Sequence, residues 1–350
     1  MSLLPQGNPS SQDMLDLISG FWLSQAIYVA AKLGIADQLQ DGPKSASVLA
    51  KQAEVHEPAL YRVLRTLASR AIFFEDTERL FGLSPAAEWL RSDKPGSLRP
   101  YAIMMGEHWV WQSVGEMLHS VRTGESGFEQ VFGSRTFDYY AEHPHAARFA
   151  VEGMTSRSTA ENVAIVGAYD FSGISTIIDV AGGQGTLLSS ILTANSNLRG
   201  TLFDMPHVLD AAGPLIVRAG LQEHCALAAG DFFDCVPTGA DIYILKKVIH
   251  DWDDSDARTI LGNCRKAMPK SSRLLLIEVI VPAPNVPSFA KMLDLLMLAY
   301  AGGRERTEDE YRELLASVGF RLQRIIPTSS TVSIIETFPL CQSSSPASAA

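Results

Sequence analysis

Residues 177–192 of this 350-residue chain read Ile177-Ile178-Asp179-Val180-Ala181-Gly182-Gly183-Gln184-Gly185-Thr186-Leu187-Leu188-Ser189-Ser190-Ile191-Leu192. The β-branched apolar run at the start is typical of a buried parallel strand. Three glycines then allow a tight turn that lets the backbone approach a ligand, and the apolar residues beyond it recur at helical spacing. The stretch therefore predicts the strand–loop–helix corner of a nucleotide-binding fold, whose ligands bind beyond the carboxyl ends of the strands.

The spacing of the glycines indicates which nucleotide is disfavoured. A dinucleotide-binding loop carries the pattern G-x-G-x-x-G/A. Gly183 and Gly185 supply the first two positions, but Leu188 occupies the third. This departure disfavours NAD and leaves room for S-adenosylmethionine (SAM), which has no pyrophosphate to bind.

The composition limits the class of protein. Lysine and arginine number 29 against 39 aspartates and glutamates, which gives a formal net charge of −10. Phosphate binding needs clustered basic residues, so we expect no nucleic-acid partner. No uninterrupted apolar run reaches about 18 residues, so we expect no membrane span. The first residues also lack the basic and apolar regions of a secretory signal.

The cysteines indicate the compartment. None of them forms a CxxC pair, which argues against a disulfide framework and against a structural zinc site. Because this usage suits a reducing environment, we expect a cytoplasmic protein. The cysteines are Cys225, Cys235, Cys264 and Cys341.

The first part of the chain has helical patterns. From Met14 to Leu39, apolar residues recur at helical spacing and occupy more than one face, which predicts a helix that packs against a second subunit. A second helix follows, with Ser45 or Ser47 as its cap, and a third spans Glu57–Ser69. A short hairpin at 72–75 and 80–83 comes next, and this order resembles a winged helix-turn-helix.

A winged helix serves either DNA binding or dimerisation, because a fold does not dictate a function. The candidate recognition helix carries Arg62 and Arg65, but the acidic chain favours dimerisation. We therefore predict four segments. They are a helical winged-helix dimerisation domain at 1–110 whose first 12 residues are loose, a helical connector at 111–160 that contributes aromatic side chains to the substrate pocket, a SAM-binding domain at 161–340, and a disordered tail at 341–350.

From Ser175 onward, strand and helix patterns alternate. This alternation predicts an α/β fold with a doubly wound, Rossmann-like sheet. In such a sheet, ligand-binding residues gather at the carboxyl ends of the strands. The predicted strands are 175–180, 199–204, 224–230, 240–246, 272–280, 320–327 and 331–338.

Polar and aromatic residues stand at three of these strand ends. Asp204 ends the second strand, where an acidic group accepts hydrogen bonds from both ribose hydroxyls of a nucleotide. A role as N-cap of the next helix fits Asp204 equally well. Asp231 and Phe232 follow the third strand and suit an adenine amino group and ring. Lys246 ends the fourth strand on the same side.

One histidine and two glutamates need a chemical explanation. An ordinary histidine has a pKa of about 6.5, so we expect His250 to be mostly neutral at pH 7 and able to accept a proton; capping a turn is the alternative. Glu278 interrupts an apolar strand, where a carboxylate needs a partner such as an imidazole. Glu305 lies in a loop before a helix, where a solvated charge is the default expectation.

The chain resembles the class I SAM-dependent O-methyltransferases, which include caffeate-, flavonoid- and hydroxyindole-type enzymes and many bacterial natural-product enzymes. The resemblance covers nearly the whole chain. It rests on DVAGGQG (179–185), FDMPHV (203–208), GDFF (230–233), LKKVIHDWDD (245–254) and MLAYAGGRERT (297–307), in this order. A mild departure is Ala181, where the family often has glycine.

The resemblance implies a role for each matched residue. His250 would be the catalytic base, flanked by Glu278 and Glu305. The residues at or near the cofactor would be Asp179, Gly182, Gly183, Gly185, Asp204, Asp231, Phe232, Lys246, Trp252, Met154 and Ser158. The resemblance also implies a homodimer and a small aromatic or polyketide-like acceptor.

A base is needed because a phenol has a pKa of about 10 and does not ionise readily at neutral pH. Glu278 and Glu305 would orient the imidazole of His250 and stabilise its charged form, as an aspartate does in a hydrolytic triad. Since the base takes the place of a metal, we expect no metal and no cluster of carboxylates at ligand spacing.

The predicted function is SAM-dependent methylation of a phenolic or enolic hydroxyl. The alternative enzyme hypothesis is a SAM-binding relative that catalyses a pericyclic, decarboxylation or hydroxylation step on a natural product. A SAM-sensing winged-helix regulator is a third hypothesis, which the net charge of −10 disfavours.

Overall fold

Two units make up the chain, and the boundary between them falls between Thr159 and Ala160. The computed structural model describes residues 10–340. The predicted disordered tail at 341–350 therefore lies outside the described residues, as do the first nine residues of the chain. The predicted division of the first part at residue 110 stays a prediction.

The first unit is mainly helical. Its small antiparallel sheet has the strand order β1-β3-β2, and the predicted hairpin is confirmed as β2 and β3. Its elements are α1 (Ser11–Ile18), α2 (Gly20–Lys32), α3 (Ile35–Gln38), β1 (Lys44–Ser45), α4 (Ala46–Ala53), α5 (Glu57–Ser69), β2 (Phe73–Glu75), β3 (Leu80–Leu83), a 3₁₀ helix (Ala87–Leu90), α6 (Arg99–Gly106), α7 (His108–Gly115), α8 (Met117–Thr123), α9 (Gly127–Phe132), α10 (Thr136–Glu142) and α11 (Pro144–Ala168), which continues into the second unit.

The N-terminal helices differ from the prediction in their boundaries. The predicted helix from Met14 to Leu39 is wrong as a single element, because it divides into α1, α2 and α3. Residues 11 and 12 are helical rather than loose, since the Ser10 side chain caps α1. Gly34 follows α2 with a left-handed φ of 64°, a conformation that ends helices. Ser45 caps α4, as one of the two predictions had it.

The first two helices expose apolar side chains. Phe21 is 52% exposed and Trp22 is 64% exposed, and Met14, Leu15 and Ile18 are exposed beside them in sequence. This confirms that the segment carries apolar residues on more than one face. Among the described residues, no single helix has the length and apolarity to cross a membrane, whereas α1 and α2, bent by 41°, meet that test as a pair.

The second unit contains a seven-stranded sheet with the order β6-β5-β4-β7-β8-β10-β9. The first five strands in this order are parallel, and β10 pairs antiparallel with both β8 and β9. All seven predicted strands are confirmed. Its elements are β4 (Thr176–Val180), α12 (Thr186–Ala194), β5 (Arg199–Asp204), α13 (Pro206–Arg218), β6 (Cys225–Ala229), β7 (Ile242–Lys246), a 3₁₀ turn (Ile249–Asp251), α14 (Asp254–Ala267), β8 (Arg273–Glu278), α15 (Phe289–Leu296), a π-helical turn (Met297–Ala301), α16 (Glu308–Ser317), β9 (Phe320–Pro327) and β10 (Ser333–Pro339).

The sheet brings several predicted site residues to one edge. Both of its faces are buried under apolar side chains, as expected for parallel strands covered by helices. Asp204, Lys246 and Glu278 are the last residues of β5, β7 and β8. Because carboxyl ends of parallel strands meet at the same edge, side chains far apart in sequence converge there.

Candidate active site

The glycine loop begins directly after β4. A Cβ on Gly182 would lie 2.5 Å from Leu202 Cδ1 and 2.6 Å from Asp179 Cγ, so any larger residue would displace these side chains. Gly183 has a left-handed φ of 59°, and a Cβ built on it would meet no atom within 4 Å. Ala181 also has a positive φ, 55°, which explains why a glycine suits that position. The loop therefore presents bare backbone at Gly183 to open space, where a ligand can approach.

Asp204 is tied to this loop. Its Oδ2 accepts a hydrogen bond from the backbone N–H of Gly183 at 2.8 Å, and its Oδ1 accepts one from Met205 at 2.7 Å. Burial raises the pKa of Asp204, while these two donors oppose the rise. The N-cap of α13 is Met205, so the N-cap interpretation of Asp204 is wrong. The carboxylate instead stands beside the glycine turn, at the end of β5.

A buried polar cluster lies between β4, β7 and α11. Lys246 donates to Asn162 Oδ1 at 2.8 Å and lies 3.3 Å from Glu161 Oε2. Burial lowers the pKa of Lys246 to about 8, against the opposing effect of Glu161. Burial also raises the pKa of Asp179 to about 7, and its Oδ2 has no hydrogen-bond partner among residues 10–340. Glu161 and Asn162 escaped the sequence analysis, because helical spacing alone gave them no distinguishing signal.

An aromatic cluster surrounds the end of β6. The rings of Phe232 and Phe233 lie 5.9 Å and 4.8 Å from Trp252, both nearly edge-on. Asn263 fixes this turn by donating to the carbonyl oxygens of Phe232 and Phe233. The Asp231 side chain accepts from the N–H of Phe233 at 2.8 Å, which closes the turn. The adenine roles of Asp231 and Phe232 stay predictions.

His250 lies in the 3₁₀ turn that follows β7 and is only 2% exposed. Its Nδ1 lies 2.7 Å from Glu305 Oε1, so the ring is held by that carboxylate. The other ring nitrogen, Nε2, has no hydrogen-bond partner within the described part of the chain. A carboxylate oxygen of Asp251, Oδ1, lies 3.5 Å from it. Glu305 therefore fixes Nδ1 of the ring, while Nε2 has no hydrogen bond within the described part of the chain.

The default expectation for Glu305, a solvated loop charge, is wrong: the residue is 2% exposed, because its loop folds against the His250 turn. Glu305 flanks His250, as the family resemblance implies. Glu278 lies beside the same ring, and its Oε1 accepts from the backbone N–H of Ile249 at 3.0 Å. Ligand-type atoms of His250, Glu278 and Glu305 lie within 4.8 Å of one another. The expectation that no carboxylates cluster at metal-ligand spacing is therefore also wrong.

The charge state of His250 differs from the ordinary one. Burial disfavours the charged ring, but Asp251, Glu278 and Glu305 outweigh it and raise the pKa of His250 to about 9. Burial likewise raises the pKa of Glu278 to about 7 and that of Asp251 to about 6. The expectation of a mostly neutral imidazole at pH 7 is wrong for this structure, because three carboxylates surround the ring.

The remaining predicted residues lie on α11, in the first unit. Met154 is 41% exposed and Ser158 is partly buried, and their roles near the cofactor or substrate stay predictions. The sequence analysis also missed Asp251 and Arg306, which are the immediate neighbours of His250 and Glu305. Adjacency to a proposed catalytic residue was the one signal available for both.

Comparison with known proteins identifies the class of enzyme. Residues 111–321 match the O-methyltransferase domain family and residues 15–93 match the O-methyltransferase dimerisation domain. A phenazine O-methyltransferase from Lysobacter antibioticus is 46% identical over 95% of this chain and 97% of its own length. The chain belongs to the O-methyltransferase family.

Solved structures agree with this assignment. The crystal structure of LaPhzM has a TM-score of 0.89 at 45% identity, covering 95% of this chain and 100% of that chain. NcsB1, an O-methyltransferase from neocarzinostatin biosynthesis solved with SAM and 2-hydroxy-5-methyl naphthoic acid, has a TM-score of 0.79 at 32% identity, covering 91% and 96%. The protein is a SAM-dependent O-methyltransferase with a dimerisation domain.

Proposed function

We propose that this enzyme methylates a phenolic or enolic hydroxyl of a small aromatic or polyketide-like metabolite, with His250 as general base. The observation that carries the proposal is the buried imidazole, held at Nδ1 by Glu305 and without a hydrogen-bond partner at Nε2 among the described residues. A base must reach the proton that it abstracts. Nε2 is the atom that an incoming hydroxyl would meet.

The residues at the strand ends suit SAM. Asp204 offers carboxylate oxygens at the position expected for ribose hydroxyls, and Gly183 exposes its backbone to open space. Asp179 carries a buried oxygen that lacks a partner within the described part of the chain. When bound, SAM supplies a methyl group on a positively charged sulfonium. The task of this chain's own residues is then mainly to align the methyl donor with the acceptor.

The raised pKa of His250 suits a phenol. A neutral imidazole whose pKa is about 9 is a much stronger base than ordinary histidine, and it lies close to the phenol pKa of about 10. Proton transfer from phenol to Nε2 is then nearly balanced in energy, which favours general-base catalysis. Glu278 and Glu305 stabilise the charged ring after it takes the proton. The consequence is that most of the ring is protonated at pH 7.

We infer that the acceptor is a planar polycyclic aromatic hydroxyl. The 46% identical relative is named for phenazine O-methylation, and NcsB1 was crystallised with a naphthoic acid. A panel of hydroxyphenazines, hydroxynaphthoates and monocyclic phenols should therefore be incubated with methyl-labelled SAM. We expect label transfer to the hydroxyl of a fused-ring acceptor, identified by mass spectrometry.

Two outcomes of this panel would contradict the proposal. If SAM binds but label reaches no acceptor, the alternative of a non-methylating step gains support. Label on a ring nitrogen rather than on oxygen would contradict the hydroxyl as acceptor. Phenazines with and without the hydroxyl form the matched pair that separates the two positions.

The rate of methyl transfer should depend on pH in a defined direction. His250 must be neutral to accept a proton, and Asp251, Glu278 and Glu305 raise its pKa to about 9. We therefore expect kcat/KM to rise with pH through an apparent pKa well above the ordinary value of about 6.5. Glu278→Gln removes a negative charge beside the ring, lowers the His250 pKa and should move the rise to lower pH.

The control for this profile is Glu313→Gln, because Glu313 is exposed on α16. Its profile should match that of the unmodified enzyme. A Glu278→Gln profile with an unchanged midpoint would show that the carboxylate does not set the protonation of the base. The positive charge of Lys247 lowers the pKa of Asp251, which in turn faces the imidazole. Because salt screens such interactions, all profiles should be measured at constant ionic strength.

The enzyme should be a homodimer through its first unit. The dimerisation-domain match covers α1 and α2, where Phe21 and Trp22 are 52% and 64% exposed. Light scattering should give twice the chain mass of 38.0 kDa. Replacing both residues with glutamate places charges in an apolar interface and should shift the mass to the monomer. Val217→Glu, at a 62% exposed position on α13, is the control and should leave the dimer intact. If the enzyme with both glutamates is still a dimer, this face of α2 is not the dimer interface.

A further inference from the structure

The segment Gly303–Arg306 encloses the turn that carries His250. The backbone N–H of Arg304 donates to the carbonyl oxygen of His250 at 2.8 Å. Glu305 holds the imidazole at Nδ1, 2.7 Å away. One short segment thus fixes both the main chain and the ring of the same residue.

The buried side chain of Arg306 also contacts the turn that carries His250. This side chain is 1% exposed, so its guanidinium must be satisfied within the protein. Nη1 donates to the carbonyl oxygen of Ile249 at 3.0 Å, and Nη2 donates to that of Trp252 at 3.1 Å. Nη2 and Nε also reach Asp254 Oδ1, at 2.8 Å and 3.2 Å. The guanidinium therefore holds the turn on both sides of His250 and neutralises the start of α14.

Gly303 permits the close approach on which these contacts depend. A Cβ at this position would lie 2.0 Å from the carbonyl oxygen of His250 and 2.5 Å from the carbonyl carbon of Asp251. Both atoms belong to the backbone, so no side-chain rotation could relieve the clash. Any larger residue must push the segment away from the turn.

We propose that Arg306, with Gly303, is a positioning residue that holds the His250 turn and so fixes the direction in which Nε2 faces the acceptor. This inference rests on the proposed role of His250 as general base. Arg306 does not touch the reacting atoms; it acts through the carbonyl oxygens of Ile249 and Trp252. Displacement of a reacting group by about 1 Å can cost about 10²-fold in rate.

Lysine cannot replace this arginine. Arginine presents a planar fork that reaches several acceptors in fixed directions, whereas lysine is a single charge on a flexible stem. Arg306→Lys keeps the positive charge beside Asp254 but cannot bond Ile249, Trp252 and Asp254 in the same geometry. The turn should loosen, and the imidazole should move relative to Asp251, Glu278 and Glu305, the carboxylates that face it.

The test compares Arg306→Lys and Gly303→Ala with the unmodified enzyme at saturating SAM and acceptor. For both variants we expect kcat to fall by about 10–100-fold, with the Kd for SAM changed less than about threefold. The rise of kcat/KM with pH should move to lower pH, since a displaced ring is less stabilised by the three carboxylates. NMR titration of the His250 ring, assigned with His250→Ala, should show the same downward shift of its pKa.

The matched control is Arg258→Lys. Arg258 also pairs with Asp254, at 3.9 Å, but its side chain is 50% exposed. Its kcat and pH profile should stay as they are. The proposal is overturned if Arg306→Lys and Gly303→Ala leave both kcat and the His250 titration unchanged, or if SAM affinity falls in parallel with kcat. The NMR titration keeps the test independent of the proposed function, because it reports on the ring even if His250 proves not to be the base.

Discussion

His250→Ala should lower turnover by about 10²-fold or more while leaving SAM affinity nearly unchanged. The ring lies in a turn after β7, and its Nε2 has no hydrogen-bond partner within residues 10–340. Removing it takes away the proton acceptor but none of the strand-end groups proposed to hold SAM. Label transfer from SAM measures the rate, and calorimetry measures the SAM affinity.

Varying the acidity of the phenol acceptor provides a control for the loss of turnover in His250→Ala. A hydroxyl that ionises near neutral pH needs no base, so the loss in His250→Ala should be much smaller for an acidic phenol than for an ordinary one. His224→Ala makes the same change next to the amino end of β6, at the opposite edge of the sheet, and should keep full activity. Equal turnover of both phenols by His250→Ala and by the unmodified enzyme would remove His250 from proton transfer.

Asp204→Ala should weaken SAM binding by about 10²–10⁴-fold. A hydrogen bond to a charged group contributes about 1.5–3 kcal/mol, and two ribose hydroxyls would each lose one. The change also removes the acceptor that holds the N–H of Gly183, 2.8 Å from Asp204 Oδ2, so the glycine loop loses its fixed geometry. Calorimetric titration with SAM is the measurement.

Two further variants define this result. Asp210→Ala changes an exposed aspartate on the neighbouring helix α13 and should leave the Kd as it is. Asp204→Asn keeps an acceptor oxygen, so its Kd for SAM should lie between those of the unmodified enzyme and Asp204→Ala. An Asp204→Ala enzyme that binds SAM as tightly as the original would exclude the carboxylate from the ribose position.

Local signals in the sequence were sufficient for most of the sheet. Strands 242–246 and 273–278 contain the apolar runs Ile242–Leu245 and Leu274–Ile277, which are typical of strands buried on both faces. Glycines mark the turn after β4 because a Cβ on Gly182 would clash with Leu202. The helix at Met14–Leu39 was harder, since apolar periodicity does not reveal where Gly34 turns left-handed.

The site could be predicted only in part, because its decisive contacts join distant segments. Glu305 lies 55 residues from His250, and its local residue pattern predicts a solvated charge; only the family resemblance of its loop placed it beside the imidazole. The raised pKa of His250 depends on Asp251, Glu278 and Glu305 together. These carboxylates come from three separate parts of the chain, so no pattern of residue spacing predicts their combined effect on the His250 pKa. The same limit hid Arg306, whose partners are backbone oxygens on another loop.

The depth at which the imidazole lies has a consequence for the catalytic cycle. A ring that is 2% exposed cannot hand its captured hydrogen ion directly to water. The Asp251 side chain is 18% exposed, and its Oδ1 lies 3.5 Å from His250 Nε2. With His250 as the proposed base, Asp251 is the neighbouring carboxylate through which the captured hydrogen ion would reach solvent before the next acceptor reacts.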